Sequence, residues 1–123
     1  MKINSIEEIV KTIDDLRDLK KNLALDLSGE LKTLLTLSRS FKKVYSVVSD
    51  FRRAEELFKS LKELGVQNVG IIVSEKIPDF EFRFNLSVSF YNLNETELER
   101  LKRISEFVLL IKRECSEKDS NLF

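Results

Sequence analysis

The fold is decided by residues 44–74, VYSVVSDFRRAEELFKSLKELGVQNVGIIVS. The stretch opens with β-branched side chains, which favour a strand, and continues with Ser49 and Asp50, which are good helix N-caps. An apolar stripe at helical spacing follows and ends at Gly65, a residue suited to the left-handed position after a helix. A second apolar run covers residues 67–74. The stretch therefore predicts a strand, a helix and a strand.

The residues that follow predict two more strands around a second helix. Apolar and polar residues alternate over residues 80–91, which is typical of a long half-buried strand. Asn94 and Glu97 form a capping box that begins a helix, and residues 107–112 predict the last strand. The order strand, helix, strand, strand, helix, strand over residues 43–113 predicts an α+β protein with a ferredoxin-like sheet and both helices on one face.

The N-terminal residues predict a helix outside this sheet. Ser5 and Glu8 form a capping box, and apolar side chains recur at helical spacing over residues 5–22. We expect an amphipathic helix here. The whole chain, residues 1–123, is predicted to be a single domain with a helical extension (1–41), a ferredoxin-like core (42–113) and a loose tail (114–123).

Residues 22–41 are ambiguous. Residues 23–27 alternate like a strand, whereas residues 31–38 keep a helical period. The Glu-Leu-Lys content slightly favours a short helix over residues 28–39, with Ser28 as its cap. A hairpin turn at the Ser-Gly pair is the alternative.

The composition excludes several kinds of chemistry. The chain has no histidine and one cysteine, Cys115, which excludes Ser-His-Asp, Cys-His and histidine-zinc sites as well as an intrachain disulfide. Its 21 basic and 21 acidic residues cancel, which lowers the expectation of non-specific nucleic-acid binding. No apolar run is long enough to span a bilayer and the N-terminus does not resemble a signal peptide, so we expect a cytoplasmic protein without membrane contact. The 34% of charged residues leans weakly toward a thermophilic source.

The predicted sheet has more apolar surface than two helices cover. Three of its strands are apolar in both registers, the pattern of strands buried on two faces. The N-terminal helix or a second copy of the protein is the expected cover. We therefore predict a non-catalytic protein-interaction module, an accessory or regulatory subunit without a cofactor, that acts through a sheet face or through homodimerisation. The predicted contact residues are Ile72, Val108, Leu110, Tyr45 and Val47.

Binding of single-stranded DNA or RNA is the first alternative. Basic residues interleave with aromatic ones around the first strand of the predicted core, so both phosphates and bases would have contacts. The basic residues predicted for this role are Lys42, Lys43, Arg52, Arg53 and Arg83, with Tyr45 as an aromatic neighbour.

A metal-dependent nuclease is the second alternative. Residues 49–69, SDFRRAEELFKSLKELGVQNV, resemble the start of the small CRISPR-adaptation nuclease-like family, in which an Asp ending the first strand is associated with metal binding across a dimer. The resemblance implies that Asp50 holds Mg²⁺ together with a second copy of the chain. The family's aromatic-Glu-Gly ending is missing after residues 70–76, GIIVSEK. The simpler role of Asp50 is that of a helix N-cap.

Overall fold

A computed structural model describes residues 2–3, 23–90 and 93–111 of the chain. The elements follow in the order β1 (Lys2–Ile3), β2 (Leu23–Asp26), α1 (Leu31–Ser40), β3 (Lys43–Val48), α2 (Phe51–Glu63), β4 (Val69–Val73), β5 (Phe84–Phe90), α3 (Glu95–Ile104) and β6 (Ser105–Ile111). The strands of the described residues form one sheet in the order β1-β6-β5-β2-β3-β4. Every neighbouring pair in this sheet is parallel.

Both faces of the sheet are covered. Leu34 of α1 and Leu57 of α2 are buried on one face, in a cluster that also contains Val44 and Leu86. On the other face, Leu101 of α3 packs in a second cluster together with residues of the loop between β4 and β5. The fold is therefore a doubly wound α/β sheet.

The prediction of a ferredoxin-like fold is wrong. β5 runs parallel to both of its neighbours, so no hairpin joins it to β4. Residues 74–83 instead lead the chain back across the sheet, because β2 lies between β3 and β5. Strands that are apolar in both registers do not indicate an uncovered face here, since a parallel sheet is buried on both faces.

The ambiguous residues 22–41 contain both predicted patterns in succession. The alternating part forms β2, whose Ala24, Leu25 and Asp26 are fully buried at the centre of the sheet. The part with helical period forms α1, which begins after Glu30 rather than at Ser28. A hairpin is excluded because β2 pairs in parallel with both neighbours.

Three local predictions of helix ends are confirmed. The side chains of Asp50 and Asn94 cap α2 and α3 by accepting backbone N–H groups, and Gly65 has a left-handed φ of 73° after α2. The strand predicted over residues 80–91 is shorter and begins only at Phe84.

The amphipathic helix predicted over residues 5–22 and the loose tail predicted over residues 114–123 lie outside the described residues. Every described strand belongs to one sheet, and the single-domain organisation of the whole chain stays a prediction. Within the described ranges, no helix is long and apolar enough to cross a membrane.

Candidate functional site

A cleft opens at the carboxyl ends of the central strands. The chain runs outward from β2 to β3 and β4 and then returns to β5 on the other side of β2, so the winding reverses between β2 and β5. Doubly wound sheets bind ligands at such a switch point, outside the carboxyl ends of the strands. The cleft has a volume of about 430 Å³, and its walls are the loops after β2, β3, β4 and β5 and the first turn of α3. This volume lies within the usual range of small-molecule sites.

Asp26, the last residue of β2, holds the loop that follows it. Its Oδ1 accepts hydrogen bonds from the Ser28 N–H at 3.2 Å and the Ser28 hydroxyl at 2.6 Å. Its Oδ2 accepts from the Gly29 N–H at 3.0 Å and from the Ser46 hydroxyl of β3 at 3.4 Å. Burial raises the pKa of Asp26 to about 6, because the desolvation of the carboxylate outweighs these hydrogen bonds, which lower it. The loop backbone is thus fixed from inside the protein.

Arg53 of α2 holds the same loop from the other side. The Gly29 carbonyl oxygen accepts hydrogen bonds from Arg53 Nε at 3.0 Å and Nη2 at 2.7 Å. Gly29 has a φ of +67°, and a Cβ here would lie 3.3 Å from Val48 Cγ1. Another residue would therefore strain the loop. The Gly29 backbone lies between a buried carboxylate and a guanidinium.

Asp50 follows the carboxyl end of β3 and lines the cleft. Its Oδ1 accepts a hydrogen bond from the Arg52 N–H at 2.9 Å, which confirms its predicted role as a helix N-cap. A carboxylate has about four lone-pair sites, so the cap leaves acceptor capacity for a ligand. Among residues 23–90 and 93–111, no group of three or more acidic or cysteine side chains could hold a metal ion. Within these residues, no further side chain joins Asp50 as a ligand for the metal that the sequence analysis predicted.

The opposite wall comes from the loop after β4 and the start of α3. Arg100 ties the two together, since its Nη1 donates to the Ile77 carbonyl at 3.0 Å and its Nη2 lies 3.6 Å from Asp79. Glu97 Oε1 accepts a hydrogen bond from Asn94 Nδ2 at 2.6 Å. The charged side chains that line the cleft are Asp50, Glu75, Glu97, Arg53 and Lys76. With three acids, two bases and Asp26 behind the loop, the cleft favours a neutral or cationic ligand.

The predicted interface residues lie within the sheet. Val47 is buried, and Tyr45, Ile72 and Val108 pack against the second core cluster, beneath α3 and the loop between β4 and β5. Leu110 belongs to β6, near the opposite edge of the sheet from β4. A role of these residues in a protein interface stays a prediction.

The predicted nucleic-acid residues do not form one patch. Lys42 and Lys43 lie at the amino end of β3, whereas Arg52 and Arg53 lie in the first turn of α2, beyond the carboxyl end of the same strand. Arg83 donates to the Ser105 carbonyl at 3.0 Å, at the start of β6. The parallel strands therefore divide these residues between the two ends of the sheet, and of the five, Arg53 lines the cleft.

Sequence reasoning missed Asp26 and the Gly29 loop as parts of a site. A signal was present, because a strand, a glycine-containing loop and a helix with an acid roughly 20 residues further on are typical of nucleotide-binding sheets. Asp50 follows Gly29 by 21 residues. The ambiguity of residues 22–41 concealed this arrangement.

Several solved structures with a similar fold are described as methyltransferases. An rRNA methylase from Streptococcus thermophilus matches with a TM-score of 0.66 at 17% identity, over 91% of this chain and 74% of that one. An S-adenosylmethionine-dependent methyltransferase from Clostridium acetobutylicum matches with a TM-score of 0.68 at 13% identity, over 85% of this chain and 48% of that one. A SAM-dependent methyltransferase from Aquifex aeolicus matches with a TM-score of 0.63 at 22% identity, over 83% and 58%. The chain thus spans about half the length of these last two proteins.

The chain therefore has a Rossmann-like fold, which it shares with these solved structures. No protein-family model and no curated protein sequence matches the chain. The fold overturns the prediction of a non-catalytic accessory module, the expectation that the chain is not an enzyme, and the two alternative functions. The interface prediction was derived from a ferredoxin-like sheet, which the protein does not have. The nucleic-acid alternative was derived from basic residues that the structure divides between the two ends of the sheet, and the nuclease alternative from a resemblance of residues 49–69.

Proposed function

We propose that the protein is an S-adenosylmethionine-dependent methyltransferase that binds its cofactor in the switch-point cleft. The observation that carries this proposal is the meeting of the Gly29 loop and Asp50 in one cleft between β2 and β5. The solved neighbours with this fold support it, since they are methyltransferases.

The loop after β2 fits an adenosyl cofactor that carries no phosphate. A dinucleotide fingerprint, G-x-G-x-x-G, uses three glycines to bring a pyrophosphate close to the backbone at a helix N-terminus. Residues 26–31, DLSGEL, contain one glycine, and Glu30 is the N-cap of α1. A negative charge at the start of a helix disfavours a phosphate there, because the two negative charges repel. The acidic surroundings instead favour the positive charge of a sulfonium.

Asp50 is the proposed partner of the ribose. An acid at the end of the second strand, about 20 residues beyond the loop glycine, accepts hydrogen bonds from ribose hydroxyls in sheets of this kind. Asp50 has this position, and its carboxylate keeps acceptor sites beside the one used to cap α2.

When bound, the cofactor would supply a methyl group on a cationic sulfur that keeps the electron pair of the broken bond, while the acceptor gives up a proton. The chain's own residues bind and orient the reactants. Leu27 and Leu93 supply apolar wall on the two sides of the switch point, and the Glu75 and Glu97 carboxylates line the same cleft. These two carboxylates are able to take the proton of an acceptor held there.

RNA is the first methyl acceptor to test. The Streptococcus thermophilus neighbour is described as an rRNA methylase. The cytoplasmic location stays a prediction. The activity test is the transfer of a labelled methyl group to RNA, to protein and to small amines from the same S-adenosylmethionine pool.

Binding of S-adenosylhomocysteine, measured by calorimetry, tests the cofactor site. The Asp50→Asn variant keeps a good N-cap and removes the charge, so α2 stays capped while the ribose loses a carboxylate. We expect binding to weaken by about tenfold or more, the effect of losing a charged hydrogen-bond partner. The matched control is Asp79→Asn, because the Asp79 side chain is 94% exposed and lies outside the cleft lining.

Two outcomes would contradict this proposal. One is the absence of S-adenosylhomocysteine binding by the wild-type protein. The other is tighter binding of NADH, because a dinucleotide would then fit the loop despite its single glycine.

A further inference from the structure

Three exposed large apolar side chains, those of Phe51, Phe58 and Val73, belong to one edge of the molecule. The four most exposed large apolar side chains of the described residues belong to α2, to the residue that ends it and to β4. They are Phe51 at 65%, Phe58 at 61%, Leu64 at 57% and Val73 at 46% exposure. Large apolar groups scattered singly over a surface need no explanation, but a cluster at one edge marks an interaction site.

The exposed flank of α2 is turned away from the centre of the sheet. Arg53 reaches the Gly29 carbonyl and therefore marks the flank that faces β2. Phe58 follows it by five residues, which is about 140° around the helix axis. Phe51 and Phe58 are two turns apart on this opposite flank, which lies on the side of β4.

β4 is the last strand of the described sheet. Its inner edge pairs with β3, and no described strand lies at its outer edge. Its sequence, VGIIV, contains no charged residue and no proline. Edge strands normally carry such residues because an uncovered edge is a template for pairing with another chain. Val73 and Ile71 lie on the same face as α2, by the alternation of the strand.

Two charges on this flank of α2 would pair with their counterparts on a second copy. Glu55 and Lys62 are exposed, lie within about 60° of Phe58 around the helix, and form no ion pair within the described residues. In an antiparallel arrangement of two such helices about a two-fold axis near Phe58, each Glu55 meets the other copy's Lys62. A self-complementary patch of this kind is what an isologous dimer requires.

We propose that a second copy of this chain covers the edge formed by α2 and β4. Antiparallel pairing of the two β4 strands would extend the sheet across the dimer. The two α2 helices would lie side by side on one face, with the Phe58 rings between them and the charge pairs on either side. This interface shares only the strand of Ile72 with the predicted one, since Val108 and Leu110 lie in β6, four strands away from β4. It does not depend on the reaction that the protein catalyses.

Analytical ultracentrifugation of the full chain between about 1 and 100 μM tests the proposal, a range suited to micromolar association. We expect the wild type to form dimers and Phe58→Asp to be a monomer, with unchanged circular dichroism because this side chain is exposed. The matched control is Phe82→Asp, an exposed aromatic residue in the loop after β4 and away from the α2 flank, which should still dimerise.

A charge exchange identifies the pairing. Glu55→Lys and Lys62→Glu should each weaken the dimer by about tenfold, and the double exchange should restore it, because the opposite charges meet again. A wild-type monomer at every concentration would overturn the proposal. So would a dimer that is insensitive to Phe58→Asp and to both single exchanges, because that dimer would use another surface.

Discussion

Two connections of the sheet are held in opposite ways. The loop between β2 and α1, residues 27–30, is fixed by charged side chains, since Asp26 accepts its N–H groups and Arg53 donates to its carbonyl. The connection between β4 and β5, residues 74–83, is fixed largely by aromatic rings. Tyr45 and Phe84 of the sheet meet Phe80 and Phe82 of that connection, with ring centroids between 4.9 and 6.3 Å apart.

The difference separates the polar anchors of the Gly29 loop from the ring packing at Phe80, Phe82 and Phe84, which lie outside the cleft lining. Polar anchors are directional and set the position of each backbone group, as a ligand site requires. Rings exclude water over a large area and give stability without such direction. Substitutions in the aromatic connection should therefore mainly change the free energy of unfolding, and those at the Gly29 loop should mainly change ligand binding.

The largest effect is expected for Phe84→Ala. Phe84 is fully buried, so the substitution removes apolar contacts and leaves a cavity, at a cost of about 3 to 5 kcal/mol in the free energy of unfolding. Urea unfolding measures this change. Phe82→Ala is the matched control, and we expect it to cost about 1 kcal/mol or less because Phe82 is 41% exposed. Equal losses for the two variants would mean that the rings do not hold the connection as described.

This aromatic connection also shows why the fold could be predicted only in part. The alternation from Phe80 onward was interpreted as one strand, but Phe80 and Phe82 belong to a connection without ladder hydrogen bonds, and their rings pack on Tyr45 of the sheet. Alternation reports which side chains are buried and does not report which backbone groups pair. Because the strand starts only at Phe84, residues 74–83 are free to cross the sheet, and the hairpin of the ferredoxin-like prediction does not form.

Local signals, by contrast, were sufficient for local structure. The caps at Asp50 and Asn94 and the turn at Gly65 depend on a few neighbouring residues, and the structure confirms them. The place of β2 at the centre of the sheet depends on contacts with β3 and β5, which are distant in the sequence. No local pattern reports such contacts.

The candidate site, like the fold, could be predicted from the sequence only in part. Asp50 was recognised as a residue at the end of a strand, but its chemistry was assigned through a metal-binding resemblance. Asp26 was missed because it lies in the ambiguous segment, and because an unpaired acid is rarely expected in a core. Its burial becomes understandable only when the Ser28 and Gly29 N–H groups are seen to converge on it.

After Phe84→Ala, the next largest expected effect is a pH dependence of stability caused by Asp26. Its pKa of about 6 in the folded protein lies above the ordinary value of 3.8, so the folded state binds this proton more tightly than the unfolded state. The resulting stability is fully present below about pH 3.8 and is lost as the pH rises through about 6. The difference between the two pKa values corresponds to about 3 kcal/mol.

Urea unfolding of the wild type and of Asp26→Asn between pH 4 and pH 7.5 measures this contribution. Asparagine cannot ionise, so the stability of the wild type relative to the variant should fall by up to about 3 kcal/mol across this range. Asp79→Asn serves as the control for the loss of an exposed acid. Parallel curves for the wild type and Asp26→Asn would contradict the prediction.

The smallest effect on stability is expected for Arg53→Ala, which should also weaken ligand binding. Two N–H groups of Arg53 hold the Gly29 carbonyl, and the guanidinium is partly exposed, so its loss should cost about 1 kcal/mol of stability. Binding of S-adenosylhomocysteine should weaken by about tenfold, because the loop would have to be ordered again when the ligand binds. Arg52→Ala is the matched control, since Arg52 contributes its backbone N–H to the Asp50 cap, which alanine retains.

The variant Arg53→Lys tests whether the loop needs the two N–H groups of arginine or only its positive charge. Lysine keeps the charge but cannot present two N–H groups in a fixed fork, so we expect its affinity to lie between those of the wild type and the alanine variant. Hydrogen exchange at the Gly29 amide, followed without any ligand, should become faster in both variants and stay unchanged in Arg52→Ala. Unchanged exchange would mean that Asp26 alone orders the loop, whereas faster exchange without a change in affinity would place the ligand elsewhere than at this loop.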